Sequence, residues 1–477
     1  MKRNLLLCLS LVLMHPLLAQ SKDAYSIEVT VKPLRNVYLF LGYHYGPKKG
    51  LVDSVLLDDN SKAVFKGSEP LPGGIYFIVS PRKEIMFEML IDKEQHFTVS
   101  ADTLSLPDGV VFTGSEDNNH FQRYTLFANL MGEQIMEGNS DISEAKTPEE
   151  AAASKKRLKL LTDRLEHYRD SIVTNFPASI LTALFNAMKD PVIPPPSQHP
   201  GGKYDTLFAY RYYKGHYWDG IRLDDERLVR TPFFESKLER YFKDLVAPVS
   251  DSIIKEVDHM LLYSRTSKDM YQYLMVYFVQ RYINPEYMGQ DAVFVHLFEK
   301  YINTGQADFF TQEYNEYMTK RAYSLMANLI GLPAANLDMV DTTGKPTPLY
   351  GVKSNLTLVC FWDPTCGHCK ETVPRIDSIY KAKWKNMNVA IYAVMTDGGK
   401  DNWQKFIREH DLKGWIHVYQ LPSKAKQDAD AQRPSYKQLY DVYSTPLLYL
   451  LDKDKKIIAK KLGFEQMDEI ITLKSKK

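Results

Sequence analysis

Between the apolar, β-branched and aromatic run Leu356–Trp362 and a helix-like stretch that continues past Pro374 stands Cys366-Gly367-His368-Cys369. A strand that leads into a helix whose first turn carries two cysteines separated by two residues leaves few folds open. The first sulfur is exposed at the helix start, where unpaired N–H groups and the positive end of the helix dipole favour a thiolate. The second lies one turn inside, close enough to close a small strained ring. The layout predicts a dithiol/disulfide redox site, with Cys366 attacking and Cys369 resolving. Zinc is the rival use of such a pair, but a structural tetrahedral site wants four ligands. The sequence offers no second Cys-x-x-Cys and no His-x3-His partner. No metal and no organic cofactor is expected.

Charge and export narrow the function further. With 60 Lys+Arg against 59 Asp+Glu, the chain has no basic excess to hold nucleic acid, and its basic residues are scattered rather than striped. Met1-Lys2-Arg3-Asn4 followed by the apolar run Leu5–Leu18 reads as a signal peptide over residues 1–20, removed after Ala19 or Gln20. Cys8 lies inside it, and Leu7 before it is too large for a lipidation site. An exported chain of 477 residues that then keeps three cysteines does not use them as staples, so the close pair reads as catalytic. The expected location is the periplasm or cell envelope.

The pattern of apolar residues divides the rest of this multidomain chain. Residues 25–115 alternate apolar and polar positions (Ile27/Val29/Val31, Val37/Leu39/Leu41, Ile75/Phe77/Val79) between Gly- and Pro-containing breaks, which predicts an N-terminal antiparallel, sandwich-like β domain. Residues 116–330 change to helical spacing, as in Leu158, Leu161, Leu165, Tyr168 and Ile172, and predict a central α-helical domain. Within it Pro194-Pro195-Pro196 and Gly201-Gly202 mark a loop. The aromatic segment Phe208–Trp218 reads as helix packing, or as a peptide- or glycan-binding face. After Gly331-Leu332-Pro333, residues 333–477 predict strands Leu356–Trp362, Val389–Met395, Ile416–Tyr419, Leu447–Leu451 and Ile457–Leu462. Helices Cys366–Trp384, Asp401–His410 and Tyr436–Tyr443 and one from Glu465 alternate with them, and Ser423–Arg433 is a polar loop. This is an α/β order of the thioredoxin kind.

Other residues near the pair have expected roles. A partly cationic His368 beside the thiolate favours the reduced form and makes the pair a weaker reductant. Pro374 kinks the helix, and Thr445-Pro446, just before an apolar strand, is a candidate cis peptide. Trp362, Cys366, Gly367, Cys369, Pro374 and Thr445-Pro446 match the thioredoxin pattern in type and spacing, and Cys-Gly-His-Cys is similar to protein disulfide isomerase. The run Val359-Cys360-Phe361-Trp362-Asp363-Pro364-Thr365-Cys366 resembles the TlpA/ResA branch of bacterial envelope thioredoxins over about the last third of the chain.

The resemblance implies a thioredoxin fold and thiol-disulfide exchange with disulfide-containing or thiol envelope proteins. It also implies substrate contacts at Thr445, Pro446 and Trp362, and an electron donor in the inner membrane. Two positions depart from the pattern. Cys360 stands where thioredoxins place a buried acid, and Thr372 where the ResA branch places a glutamate; Glu371 is about 100° around the helix. Slow activation of Cys369 is therefore expected, and Cys360 reads as a small buried hydrophobe. The reading reached is an exported reductase or isomerase acting through Cys366 and Cys369. Its rival is a binding or scaffold protein whose front domains hold a partner. Oligomeric state is not legible.

Overall fold

The computed structural model describes residues 23–475, so the signal segment and Cys8 lie outside the described residues. The chain divides into two compact units, one ending at Glu239 and one beginning at Arg240.

The first unit opens with eight strands: β1 Tyr25–Lys32, β2 Tyr38–Tyr45, β3 Lys48–Leu56, β4 Lys62–Gly67, β5 Gly74–Val79, β6 Ile85–Ile91, β7 His96–Asp102 and β8 Val111–Thr113. They form two four-stranded sheets, β4-β1-β7-β8 and β3-β2-β5-β6. The alternating residues Ile27, Val29, Leu39, Leu41, Phe97 and Val99 meet in one core. The expectation of a purely antiparallel domain is corrected here. β1 runs parallel to β7, with Ile27 opposite Phe97 and Val29 opposite Val99. Alternation fixes which side of a strand is buried. It says nothing of the neighbour's direction, which is set when the chain crosses to the other sheet and returns.

Two long helices follow, Glu116–Glu144 and Pro148–Asn175. Ser115 caps the first by accepting from Asn118 N, and Thr147 caps the second by accepting from Glu150 N, with Pro148 in its first turn. Of the predicted apolar face, Leu161 and Ile172 are buried, and Leu165 and Tyr168 pack partly buried against a cluster holding Ile75 and Leu90 of the sheet. In the aromatic segment, Ala209 is the buried residue of helix Thr206–Gly215, while Phe208, Tyr212 and His216 pack in series as tilted rings with centroids 6.0 and 4.2 Å apart.

The second unit begins with helices and ends in a sheet. Helices Ser250–Tyr263, Lys268–Tyr282, Asp291–Leu297 and Gln312–Met326 precede strands β9 Val340–Asp341, β10 Leu356–Trp362, β11 Val389–Met395, β12 Ile416–Tyr419, β13 Leu447–Leu451 and β14 Ile457–Lys460. The helical region is therefore shared between the units, because helical spacing marks apolar faces and not the neighbours they meet. The sheet order is β14-β13-β10-β11-β12-β9, with β10 parallel to β11 and antiparallel to β13. Every residue of β10 is buried. Leu358, Cys360 and Trp362 enter one core with Val373 and Ile376, and Val359 and Phe361 enter the other with Tyr440 and Tyr449. A strand covered on both faces reads as a continuous apolar run, as this one does.

Local corrections follow from contacts that a linear reading underweights. Ser423–Arg433, expected as a loop, is largely helix Pro422–Asp430, with Pro422 in its first turn and Lys424 and Arg433 bonded to Asp428 at 3.2 and 2.6 Å. The helix expected over Tyr436–Tyr443 is only Tyr436–Leu439, and the two-residue β9 was not anticipated.

Candidate active site

β10 ends at Trp362 and the chain turns through Asp363-Pro364-Thr365. Asp363 Oδ1 accepts from both Thr365 N and Thr365 Oγ1 at 2.7 Å, and Cys366 N donates to Asp363 O at 3.2 Å. This turn delivers Cys366 to the N-cap of helix Gly367–Ala382 with an extended backbone (φ −69°, ψ 129°). No side chain caps this helix start. Its first-turn N–H groups are left to the sulfur. The Cys369 N–H above all, then the Thr445 side chain and the His368 N–H, hold the Cys366 thiol below its ordinary range against a smaller opposing effect of burial. Cys366 Sγ also donates to Thr445 O at 3.5 Å, and the side chain is part-exposed.

Cys369 behaves in the opposite way. It is fully buried, accepts from Asp363 N at 3.4 Å, and burial pushes its thiol up to about 11. All three described cysteines are free thiols. One sulfur is thus reachable and prone to ionise, and its neighbour is held protonated beneath it.

The remaining sequence candidates fall as follows. Thr445 and Pro446 are part-exposed beside Cys366 and joined by a cis peptide. His368 is exposed, and the contribution visible here is its backbone N–H. Gly367 is exposed, and a Cβ there would meet nothing within 4 Å, so no close approach demands glycine. Trp362, expected to touch substrate, is corrected: it is 0% exposed and packs on Phe406 at 5.2 Å. It forms the floor of the site, because strand alternation turns it inward with Cys360. Cys360 is also 0% exposed, and burial, with Cys369 nearby, pushes its thiol far up. Glu371 is exposed.

Sequence reasoning missed the anchor of the Thr445-Pro446 loop. Asp441, four residues upstream of Thr445, has φ +52° and is nearly fully buried. Burial alone would raise its carboxyl, but Arg321 and Lys461 bond to it and hold it below the usual carboxylate range. Ser324 Oγ donates to Gln438 O at 2.7 Å and Asn328 Nδ2 to Leu439 O at 3.0 Å. Helix Gln312–Met326 thus fixes the segment that presents Thr445 to the sulfur. Nothing local pairs Arg321 with a residue 120 positions away. The left-handed aspartate was the only signal, and it is invisible in sequence.

Residues 354–457 match the thioredoxin-like family model, so that model covers the strand, the cysteine pair and the cis-proline loop together. The chain carries a thioredoxin-like domain. Residues 151–323 match a second model, a domain of unknown function, DUF5106. The thiol-disulfide oxidoreductase ResA of Bacillus cereus is 26% identical over 141 residues, which is 30% of this chain and 74% of that protein. A solved domain of a "possible thiol-disulfide isomerase" from Cytophaga hutchinsonii is 35% identical, covering 31% of this chain and 94% of that one, with a TM-score of 0.27. A thioredoxin-like protein from Bacteroides caccae is 19% identical, covering 60% of this chain and 99% of that one, with a TM-score of 0.45. The thioredoxin-like domain is thus similar to proteins named as thiol-disulfide oxidoreductases.

Proposed function

We propose that this protein is an exported thiol-disulfide oxidoreductase that reduces or isomerises disulfides in envelope proteins. The observation that carries the reading is the unequal pair: Cys366 part-exposed at an uncapped helix start, and Cys369 buried and protonated one turn below. The Cys366 thiolate attacks one sulfur of a substrate disulfide, forms a mixed disulfide, and expels the other substrate sulfur as a thiolate that takes up a proton. Cys369 then loses its proton and attacks Cys366 Sγ. The Cys366–Cys369 disulfide forms, the substrate leaves as a dithiol, and two electrons have passed from protein to substrate. A donor in the inner membrane would restore the pair.

The acid position of β10 is the buried Cys360, and among the described residues no carboxylate is hydrogen-bonded to Cys369, whose sulfur accepts from Asp363 N. Deprotonation of Cys369 is then the slow step. Insulin reduction by the full chain tests the reading, with Cys369→Ser trapping partners as stable mixed disulfides. Inactivity of a chain whose Cys366 alkylates normally would favour the binding-protein reading. That reading draws on the first unit, whose 29- and 28-residue helices leave Leu130, Met136 and Leu160 exposed. The pair's potential would separate direction: near ~−270 mV for a reductant, near ~−120 mV for an oxidase.

A further inference from the structure

At the other end of β10 from Cys366 the second unit buries an ammonium that no carboxylate bonds among the described residues. Lys455 lies in the turn between β13 and β14 and is 5% exposed, and its polar partner among the described residues is a neutral one, Thr357 Oγ1 at 3.0 Å. Its backbone has φ +62°, a conformation an L residue with a long side chain rarely adopts. Two penalties therefore fall on one residue, where glycine would avoid both. Asp452, the acid whose charge acts on Lys455, already accepts from Asp454 N and Lys456 N at 2.9 and 2.8 Å within the turn. Burial, and then the Lys353 charge, pull the Lys455 ammonium below its ordinary range.

This lysine opens on a cavity of about 490 Å³ whose lining includes Lys353, Lys453, Ser354, Asn355 and Asn388. Lys353 and Lys453 are exposed and enter no ion pair among the described residues, and Ser354 Oγ lies 2.9 Å from the same Thr357 hydroxyl. Against these three ammonium groups the lining holds one carboxylate, Asp454, so the cavity carries a net charge of about +2 at neutral pH. An ammonium is a point charge that suits phosphate oxygens, and the serine and asparagine side chains supply further donors.

We propose that this cavity is a binding site for a phosphate-type dianion, free or carried on a small ester, held by Lys455, Lys353 and Lys453. The bound group supplies the counter-charge that Lys455 lacks and offsets the strain of its backbone. The site is separate from the redox centre, since Thr357 and Trp362 stand five residues apart on one strand, roughly 17 Å. It does not depend on the oxidoreductase reading.

The test is thermal unfolding of the full chain with inorganic phosphate and, in parallel, with glycerol 3-phosphate, each against chloride at constant ionic strength. Saturable binding raises the unfolding midpoint, by roughly 3 °C for each tenfold increase in anion above its dissociation constant. The more effective probe tells a free ion from an ester. Lys455→Gly, which fits φ +62°, raises the midpoint without anion and abolishes the response. Lys353→Gln, at an exposed position, weakens the response several-fold, and it keeps the test open if the glycine variant fails to fold. No saturable response to either probe, a response that chloride matches, or a full response in both variants overturns the proposal.

Discussion

Two helices in this molecule begin where a strand hands over the chain, and they differ in what happens to their first N–H groups. In the first unit β8 leads to helix Glu116–Glu144, where Ser115 Oγ takes the Asn118 N–H at 3.4 Å and Asn118 reaches on to Leu90. In the second unit β10 leads to helix Gly367–Ala382, where no side chain caps the start and the N–H groups fall to Cys366. Both starts present the same four orphan donors. One is closed by its own serine and becomes structure; the other is left to a sulfur and becomes a reaction site. The three described cysteines all lie in the second unit.

The largest expected effect is at the open start. Cys366→Ser should remove insulin reduction altogether while the fold survives, checked by circular dichroism; residual turnover would mean that Cys369 or Cys360 can act alone.

The two sulfurs should then separate by pH. Alkylation of Cys366 should rise through a midpoint below that of an ordinary free thiol, and that of Cys369 only near about 11. Reduced-state stability follows with opposite signs. The folded pKa of Cys366 is depressed, so its contribution is full above the unfolded value and is lost as pH falls through the folded one. That of Cys369 is raised, so its contribution is full below ~8.5 and is lost as pH rises toward about 11. Coincident alkylation profiles would erase the contrast.

A smaller effect tests how far the helices of the second unit belong to the redox sheet. Lys460 and Asp291 pair at 2.5 Å with side chains 2% and 5% exposed. Asp291→Ala should cost about 3–5 kcal/mol in urea unfolding, because it leaves a buried ammonium without its counter-charge.

In the first unit, Asn118 is buried, with Oδ1 accepting from Leu90 N at 2.7 Å and Nδ2 donating to Leu90 O at 2.8 Å. Asn118→Ala should cost about 1–3 kcal/mol there and leave the thiol reactivity of the second unit unchanged. Altered Cys366 alkylation would show that the units are coupled. Smallest of all, Ser115→Ala should cost about 1 kcal/mol by opening a cap, again without effect on the cysteines.

The legible parts of this protein are those in which one stretch of chain settles the matter. Leu356–Trp362 is apolar throughout and folds as the buried central strand, and Cys366 follows it to a helix start within four residues. The parts that were not legible depend on distant partners. The direction of β1 against β7 is set by the chain's path between sheets. The inward turn of Trp362 is set by which face of β10 the helix Gly367–Ala382 covers. Asp441 shows its role only once Arg321, Lys461 and Ser324 surround it.

By itself the sequence determined that a strand would end in a helix bearing two sulfurs one turn apart, because hydrophobic period and cysteine spacing are local properties of the chain. Only the tertiary structure decided which sulfur meets water and which is buried, which helix holds the cis-proline loop, and that the Lys455 ammonium bonds to a hydroxyl and to no carboxylate among the described residues. Burial and charge pairing are made by residues far apart in sequence, and they exist only after the chain has folded.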